Sequence, residues 1–188
     1  WQSSTGDMII GADQSATGSS GSNLIFRTRG GERARIINSG GITFNGDTAA
    51  ANALDDYEEG TWTPDVVATS GSDSWAYRVA GWYTKVGRQV TVSFSLGQYS
   101  GNLSGDIYIN NLPFTVGSSF RQYVGDFGWY DVNPPANTCG YFIYLPPNGT
   151  NAYPYWTIAG GAGTTVTGAH LYASNRTFWE GNITYVVD

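Results

Sequence analysis

One cysteine, one histidine and one lysine set the first limits on this chain of 188 residues. Cys139 alone closes no intrachain disulfide, which excludes a small stapled scaffold. It reads instead as a small buried apolar residue. With His170 the sole histidine, no multi-histidine or Cys/His zinc site forms within one chain. A threefold site taking His170 from each of three copies stays open beside the plainer reading of a packed or solvated strand histidine. Cations are scarce: 9 Lys and Arg stand against 15 Asp and Glu, giving a net charge of -6 and a pI near 4.5. Phosphate backbones require clustered cations, so nucleic acid is excluded as a partner. No apolar run reaches the ~20 residues of a membrane-spanning helix, and no basic-then-apolar leader opens the chain, so no membrane insertion is expected. No Gly-x-Ser-x-Gly elbow is present, and His170 has no nucleophile motif beside it. The expectation is a protein without catalytic residues, metal or cofactor.

Aromatic residues are abundant and unevenly placed. The chain has 7 Trp, 13 Tyr and 8 Phe, yet only Trp1, Phe26, Phe44 and Tyr57 precede Gly60. A seam at 54–64, Leu-Asp-Asp-Tyr-Glu-Glu-Gly-Thr-Trp-Thr-Pro, separates a thin Gly-rich stretch from a dense aromatic block. Two domains follow from this break: a stalk over 1–60 and a head over 61–188. The opening at Trp1 rather than Met is read as the start of a piece whose upstream part attaches it to another protein.

In the stalk, short apolar clusters recur at Met8-Ile9-Ile10, Leu24-Ile25-Phe26, Ile36-Ile37 and Ile42 to Phe44, each closed by turn-forming residues. About a dozen large apolar side chains on such short strands are too few to enclose a core, so identical copies are expected to share one. Arg27, Arg29, Arg33 and Arg35 with Glu32 read as solvated charges that blunt strand edges. Asp47 to Gly60 reads as a short helical neck, capped by Asp47 or Thr48 and ended by Gly60, with Ala49, Ala50, Ala53, Leu54 and Tyr57 on one face. Asp55, Asp56, Glu58 and Glu59 sit at the wrong end for the helix dipole. They either solvate the neck and pair with cations of a neighbouring chain, or hold a divalent cation.

The head alternates cleanly. Over 88–96, Val90, Val92, Phe94 and Leu96 point one way and Gln89, Thr91, Ser93 and Ser95 the other, the pattern of a half-buried antiparallel strand. Comparable runs at 75–86, 105–109, 123–130, 140–145, 155–159, 164–172 and 181–187 predict an antiparallel β-sandwich of jelly-roll type, with Val86-Gly87-Arg88 as a hairpin link. The fold class is therefore all-β: a β-rich stalk shared between identical copies, a short helical neck and a sandwich head.

Parity sorts the aromatic residues. Phe94, Phe142, Tyr144 and Tyr185 run in step with apolar neighbours and read as core. Trp75, Tyr77, Tyr99, Trp129, Tyr130, Tyr153, Tyr155 and Trp156 flank turn-rich segments, and with Asp131 they form the candidate glycan-binding set. An exposed ring offers an apolar face to sugar C–H groups, and neighbouring acceptors meet the hydroxyls. The competing reading makes these rings seal the sandwich ends or a subunit interface. Asp126, Asp131 and Glu180 are the carboxylates from which a glycoside-cleaving pair would have to come.

The seam, together with Gly81-Trp82-Tyr83-Thr84-Lys85-Val86-Gly87-Arg88 and Asn111-Leu112-Pro113-Phe114, resembles the distal part of bacteriophage fibre proteins, marine phage fibres among them. Asn23-Leu24-Ile25-Phe26-Arg27-Thr28, Glu32-Arg33-Ala34-Arg35-Ile36 and Ser39-Gly40-Gly41-Ile42 are similar to the shaft of the same proteins. The resemblance implies a homotrimeric virion fibre outside the cell. Such a fibre is joined to other tail or capsid proteins upstream and attaches to a host-surface glycan or protein. A purely structural tail or capsid decoration shares that fold, and a carbohydrate-binding module accounts for the head but not the stalk.

Overall fold

The computed structural model describes residues 22–71, 73–119, 121–124, 127–171 and 177–188, excluding the side chains of 73–80, 98–100 and 127. The apolar cluster expected at Met8 to Ile10 lies outside the described residues. The chain is all-β and divides into two compact units between Tyr57 and Glu58.

The first unit holds β1 (Leu24–Thr28), β2 (Gly31–Ile36) and β3 (Ile42–Phe44), an antiparallel sheet in that order. Arg29 and Gly30, both at positive φ, turn the chain between β1 and β2. A bulge after Phe26 places Arg27 opposite Glu32. It also brings Glu32 against Arg35 in a two-point ion pair, Nε to Oε1 at 2.9 Å and Nη2 to Oε2 at 2.7 Å. The Arg35 guanidinium holds the Glu32 carboxyl below its ordinary range. Arg33 donates to the Thr28 hydroxyl at 2.8 Å.

The expected helix over Asp47 to Gly60 is reduced to one 3-10 turn at Ala50–Asn52. Asp47 starts the turn by accepting the Ala49 N–H and the Asn52 amide. Leu54 then exchanges both backbone hydrogen bonds with Ile42, at 2.8 and 3.0 Å, which draws the chain into extended geometry. A short isolated helix gains little in water, so pairing with an existing strand wins.

The strand that follows is β4 (Tyr57–Trp62), and after it come β5 (Asp65–Ser70), β6 (Asp73–Val86), β7 (Gln89–Gly101), β8 (Ser104–Asn110), β9 (Gln122–Val124) and β10 (Phe127–Tyr130). The last four are β11 (Thr138–Leu145), β12 (Tyr153–Ile158), β13 (Thr164–Thr165) and β14 (Phe178–Val186). A five-stranded sheet runs β10-β14-β7-β6-β4, a four-stranded sheet β13-β12-β11-β9, and β5 pairs with β8. Bridges Ile109–Ala152 and Asp106–Thr167 join β8 to the segments flanking β12 and β13. These sheets enclose a core in which Val90, Val92, Phe94, Leu96, Trp179, Ile183 and Tyr185 of the five-stranded sheet meet Val66, Ile107, Ile109, Ile143, Leu145 and Trp156. Burying each aliphatic side chain contributes about 1.5–3 kcal/mol relative to exposure. Gly87, at φ 55, turns the expected hairpin between β6 and β7.

Three polar contacts support this packing. Trp62 Nε1 donates to the Ser93 carbonyl at 3.1 Å, and its indole lies where a Cβ on Gly81 would stand. Gln122 acts as a strand edge made from a side chain: Nε2 donates to the Val186 carbonyl and Oε1 accepts the Val186 N–H, both at 2.7 Å. His170 is half-buried; its Nδ1 accepts the Thr167 N–H at 2.9 Å and faces Trp156 Nε1 at 3.4 Å, so the ring proton resides on Nε2. Burial pushes its pKa down. Cys139, expected buried, is exposed, with its Sγ 3.4 Å from the Thr157 carbonyl.

Three outcomes follow. Gly81→Ala forces Trp62 or the Ser93 backbone to move and lowers unfolding free energy by about 1–3 kcal/mol in a denaturant titration, whereas Gln122→Leu costs a similar ~1–3 kcal/mol by stranding the Val186 amide groups. Because folding depresses the His170 pKa, the stabilisation by its neutral ring is complete above pH ~6.5 and is lost as pH falls from there through the lowered value. Between pH 7 and 5 the melting temperature of the parent therefore falls further than that of His170→Gln, in which no group titrates at this position.

Candidate functional site

The four-stranded sheet has two unlike sides because β11 alternates strictly. Ile143 and Leu145 are buried, and Phe142 and Tyr144 point the other way, half-exposed. Pairing extends the outward side across the sheet. Tyr144 is opposite Tyr123 on β9 and Tyr153 on β12, and Phe142 is opposite Tyr155, which is opposite Thr165 on β13. Neighbouring strands lie about 4.8 Å apart, so rings on successive strands meet. Tyr123 stacks on Tyr144 at 5.5 Å, and Phe142 on Tyr155 at 5.2 Å with planes 7° apart. Tyr123 also meets Phe142 edge-on at 5.7 Å, and Tyr108 of β8 continues the layer against Tyr153 at 5.3 Å.

Two grooves run over this layer and share Tyr144 and Tyr155. One, of about 250 Å3, is lined by Arg121, Tyr123, Phe142, Tyr144, Tyr155 and Gly163. The other, of about 290 Å3, is lined by Asp106, Tyr144, Pro146, Tyr153, Tyr155 and Thr165. Asp106 accepts the Thr165 hydroxyl at 2.7 Å, which orients its carboxylate at the groove edge. Burial, and secondarily the Asp106 charge, raises the Tyr155 phenol pKa. The result is a wall of flat rings with phenolic hydroxyls, a guanidinium at one end and a carboxylate at the other. Asp106 is the one carboxylate among these lining residues.

A separate groove of about 220 Å3 lies on the five-stranded sheet, lined by Gly128, Trp129, Tyr130, Phe178 and Glu180. Tyr130 is 63% exposed there. Glu180 accepts the Ser95 hydroxyl at 2.8 Å.

The residues expected to bind do not form one set. Tyr153 and Tyr155 lie on the aromatic face, and Tyr130 lies on the other sheet. Trp156, expected on a loop, is 2% exposed: it occupies the inward parity of β12, one residue from Tyr155, and its ring contacts Trp129 at 4.2 Å. Trp129 is half-buried between Trp156 and Trp179. Trp156 therefore packs the interior and is corrected from a binding to a structural position, whereas Trp129 packs on it and also lines the groove beside Tyr130. Asp131 adopts φ 61, and its carbonyl accepts the Thr177 hydroxyl at 3.3 Å. Trp75, Tyr77 and Tyr99 lie on β6 and β7, with Trp75 opposite Tyr99, and their side chains are outside the described residues. Asp126 is outside them as well. Among the described residues no three His, Cys, Asp or Glu side chains gather as a metal site requires.

Phe142 and Tyr144, assigned to the core from sequence, face outward, and Tyr123, Tyr108, Asp106 and Arg121 were not singled out. The signal for the first pair was present in Tyr141-Phe142-Ile143-Tyr144-Leu145: of the two parities, the one carrying aliphatic Ile143 and Leu145 is buried. Tyr108, between the buried Ile107 and Ile109, carries the same signal, whereas Tyr123, between Gln122 and Val124, is brought to the face by strand pairing.

No protein-family model matches this chain, and no curated protein matches it. Among solved structures, its fold is similar to that of the Dettilon tailspike protein, with a TM-score of 0.54 over 67% of this chain and 19% sequence identity. The chain spans 23% of the length of that tailspike, and at this identity the likeness is one of fold.

Proposed function

We propose that this chain is the outer part of a bacteriophage tail appendage and that it attaches the virion to a host cell by holding surface carbohydrate on the aromatic face of β9, β11, β12 and β13. The carrying observation is that continuous layer of rings. Sugar C–H groups pack against flat aromatic faces, while the phenols, Asp106 and Thr165 are placed to exchange hydrogen bonds with hydroxyls. The similarity of fold to a tailspike supports the tail over the capsid as its place. In this reading the appendage is a homotrimer outside the cell, joined upstream to other tail proteins, and linked copies raise a modest single-site affinity to firm attachment. The host-surface partner is a glycan rather than a protein, because two shallow grooves of stacked rings suit a chain of small units better than a packed interface core.

Attachment is non-enzymatic in this reading. Glycoside cleavage takes a pair of carboxyl groups roughly 5–9.5 Å apart, and the aromatic grooves are lined by Asp106 alone of that type.

The test uses the purified chain against an immobilised panel of bacterial surface polysaccharides. Tyr144→Ala and Tyr155→Ala are each expected to weaken binding about tenfold, or about 1.4 kcal/mol, while Tyr130→Ala on the other sheet leaves it unchanged. A folded Tyr144→Ala/Tyr155→Ala double variant that binds like the parent overturns the assignment of the face, and release of new reducing ends from a bound polysaccharide overturns the non-enzymatic reading.

A further inference from the structure

The groove on the five-stranded sheet differs in chemistry from the aromatic face. Register sets Gly128 opposite Glu180 and Tyr130 opposite Phe178, so these positions share the outward side, the reverse of buried Trp179 and Ile183. Phe178 lies down on that side because its partner on β7 is Gly97, and the ring fills the place where a Cβ on Gly97 would stand. Tyr130 is largely exposed beside it. Gly128 puts no side chain opposite Glu180, so the carboxylate borders open space. The Ser95 hydroxyl holds one carboxylate oxygen, Oε1, at 2.8 Å, and an ionised carboxyl has further acceptor capacity. Among the described residues, no lysine or arginine lines the groove to offset Glu180.

We propose that this groove binds an organic ammonium ion of the N-methylated type, its charge against Glu180 and its methyl groups on the Tyr130 and Phe178 rings. The face of an aromatic ring is the negative part of its quadrupole and attracts a cation within about 6 Å of the centroid. Glu180 adds a full opposite charge at the edge of the same space, and the net charge of -6 draws cations toward the chain. A hard metal ion does not suit the place, because it takes roughly six to eight oxygen ligands and the groove offers one carboxylate. At about 220 Å3 the groove is smaller than the roughly 300–1,000 Å3 of a pocket for a drug-sized molecule, and it suits a compact head group. The site lies on the other sheet from the carbohydrate face and reads charge where that face reads hydroxyls. It stands if the aromatic face binds no sugar, and sugar binding there stands without it.

The experiment is isothermal titration of the full chain with choline chloride at fixed ionic strength, beside the neutral isostere in which a tert-butyl group replaces the trimethylammonium. Choline is expected to bind saturably and the isostere about tenfold more weakly. Glu180→Gln keeps an acceptor for the Ser95 hydroxyl and removes the charge, and it is expected to weaken choline binding about tenfold. Tyr130→Leu is expected to weaken it about fivefold, and Tyr130→Phe, which keeps the ring, to restore it. Phosphatidylcholine vesicles present the same group beside a phosphate that stands against Glu180, and they are expected not to sediment with the chain. No saturable choline binding, equal binding of the isostere, a Glu180→Gln variant that binds like the parent, or co-sedimentation with the vesicles overturns the proposal.

Discussion

The pairing of β7 with β14, from Phe178 opposite Gly97 to Val186 opposite Gln89, is the constraint on which the larger unit depends. It aligns Val90, Val92, Phe94 and Leu96 with Trp179, Ile183 and Tyr185 on one side and so sets the floor of the core. A one-residue slip of either strand would turn that strand's members of this set to solvent. The hydroxyl pair Thr91–Thr184, at 3.0 Å, marks the solvent side of the same ladder. Val186 at its end meets Gln122, which ties β9 of the four-stranded sheet to β14 of the five-stranded one.

From that floor the aromatic face follows. Once Ile143 and Leu145 of β11 are committed to the core, Phe142 and Tyr144 have only the outward side available, and antiparallel pairing delivers Tyr123, Tyr153 and Tyr155 beside them. The layer is thus the obligatory reverse of a buried aliphatic layer. A candidate binding surface built on strands is held more rigidly than one built on loops, since each ring is stacked on its neighbours before any ligand arrives. The same logic explains the indoles. Trp156 and Tyr155 are adjacent in sequence and therefore on opposite sides of one sheet, so they have opposite roles.

The first unit obeys a different balance. Its strands are short, and among its described residues Ile37 and Thr43 are buried, beside the Glu32–Arg35 ion pair and the backbone exchange between Ile42 and Leu54.

The order of β6, β7, β8, β11 and β14, the hairpin at Gly87 and the scarcity of core in the leading stretch were legible in the sequence, because period-two alternation and turn residues act over a few neighbours and leave a local record. The stretch from Asp47 to Gly60 was misread as a helix for the complementary reason: its alanines and cap are local features, and they lost to a backbone exchange with Ile42 that no neighbouring residue announces. The side on which each aromatic ring emerges was likewise decided by the tertiary structure. Alternation states that two sets of side chains oppose each other, but which set is buried depends on what a distant strand packs against it. Alternation and turn residues therefore determined an all-β chain, and composition an acidic, aromatic-rich one. Only long-range pairing could gather Tyr108, Tyr123, Phe142, Tyr144, Tyr153 and Tyr155 from separate strands into one face.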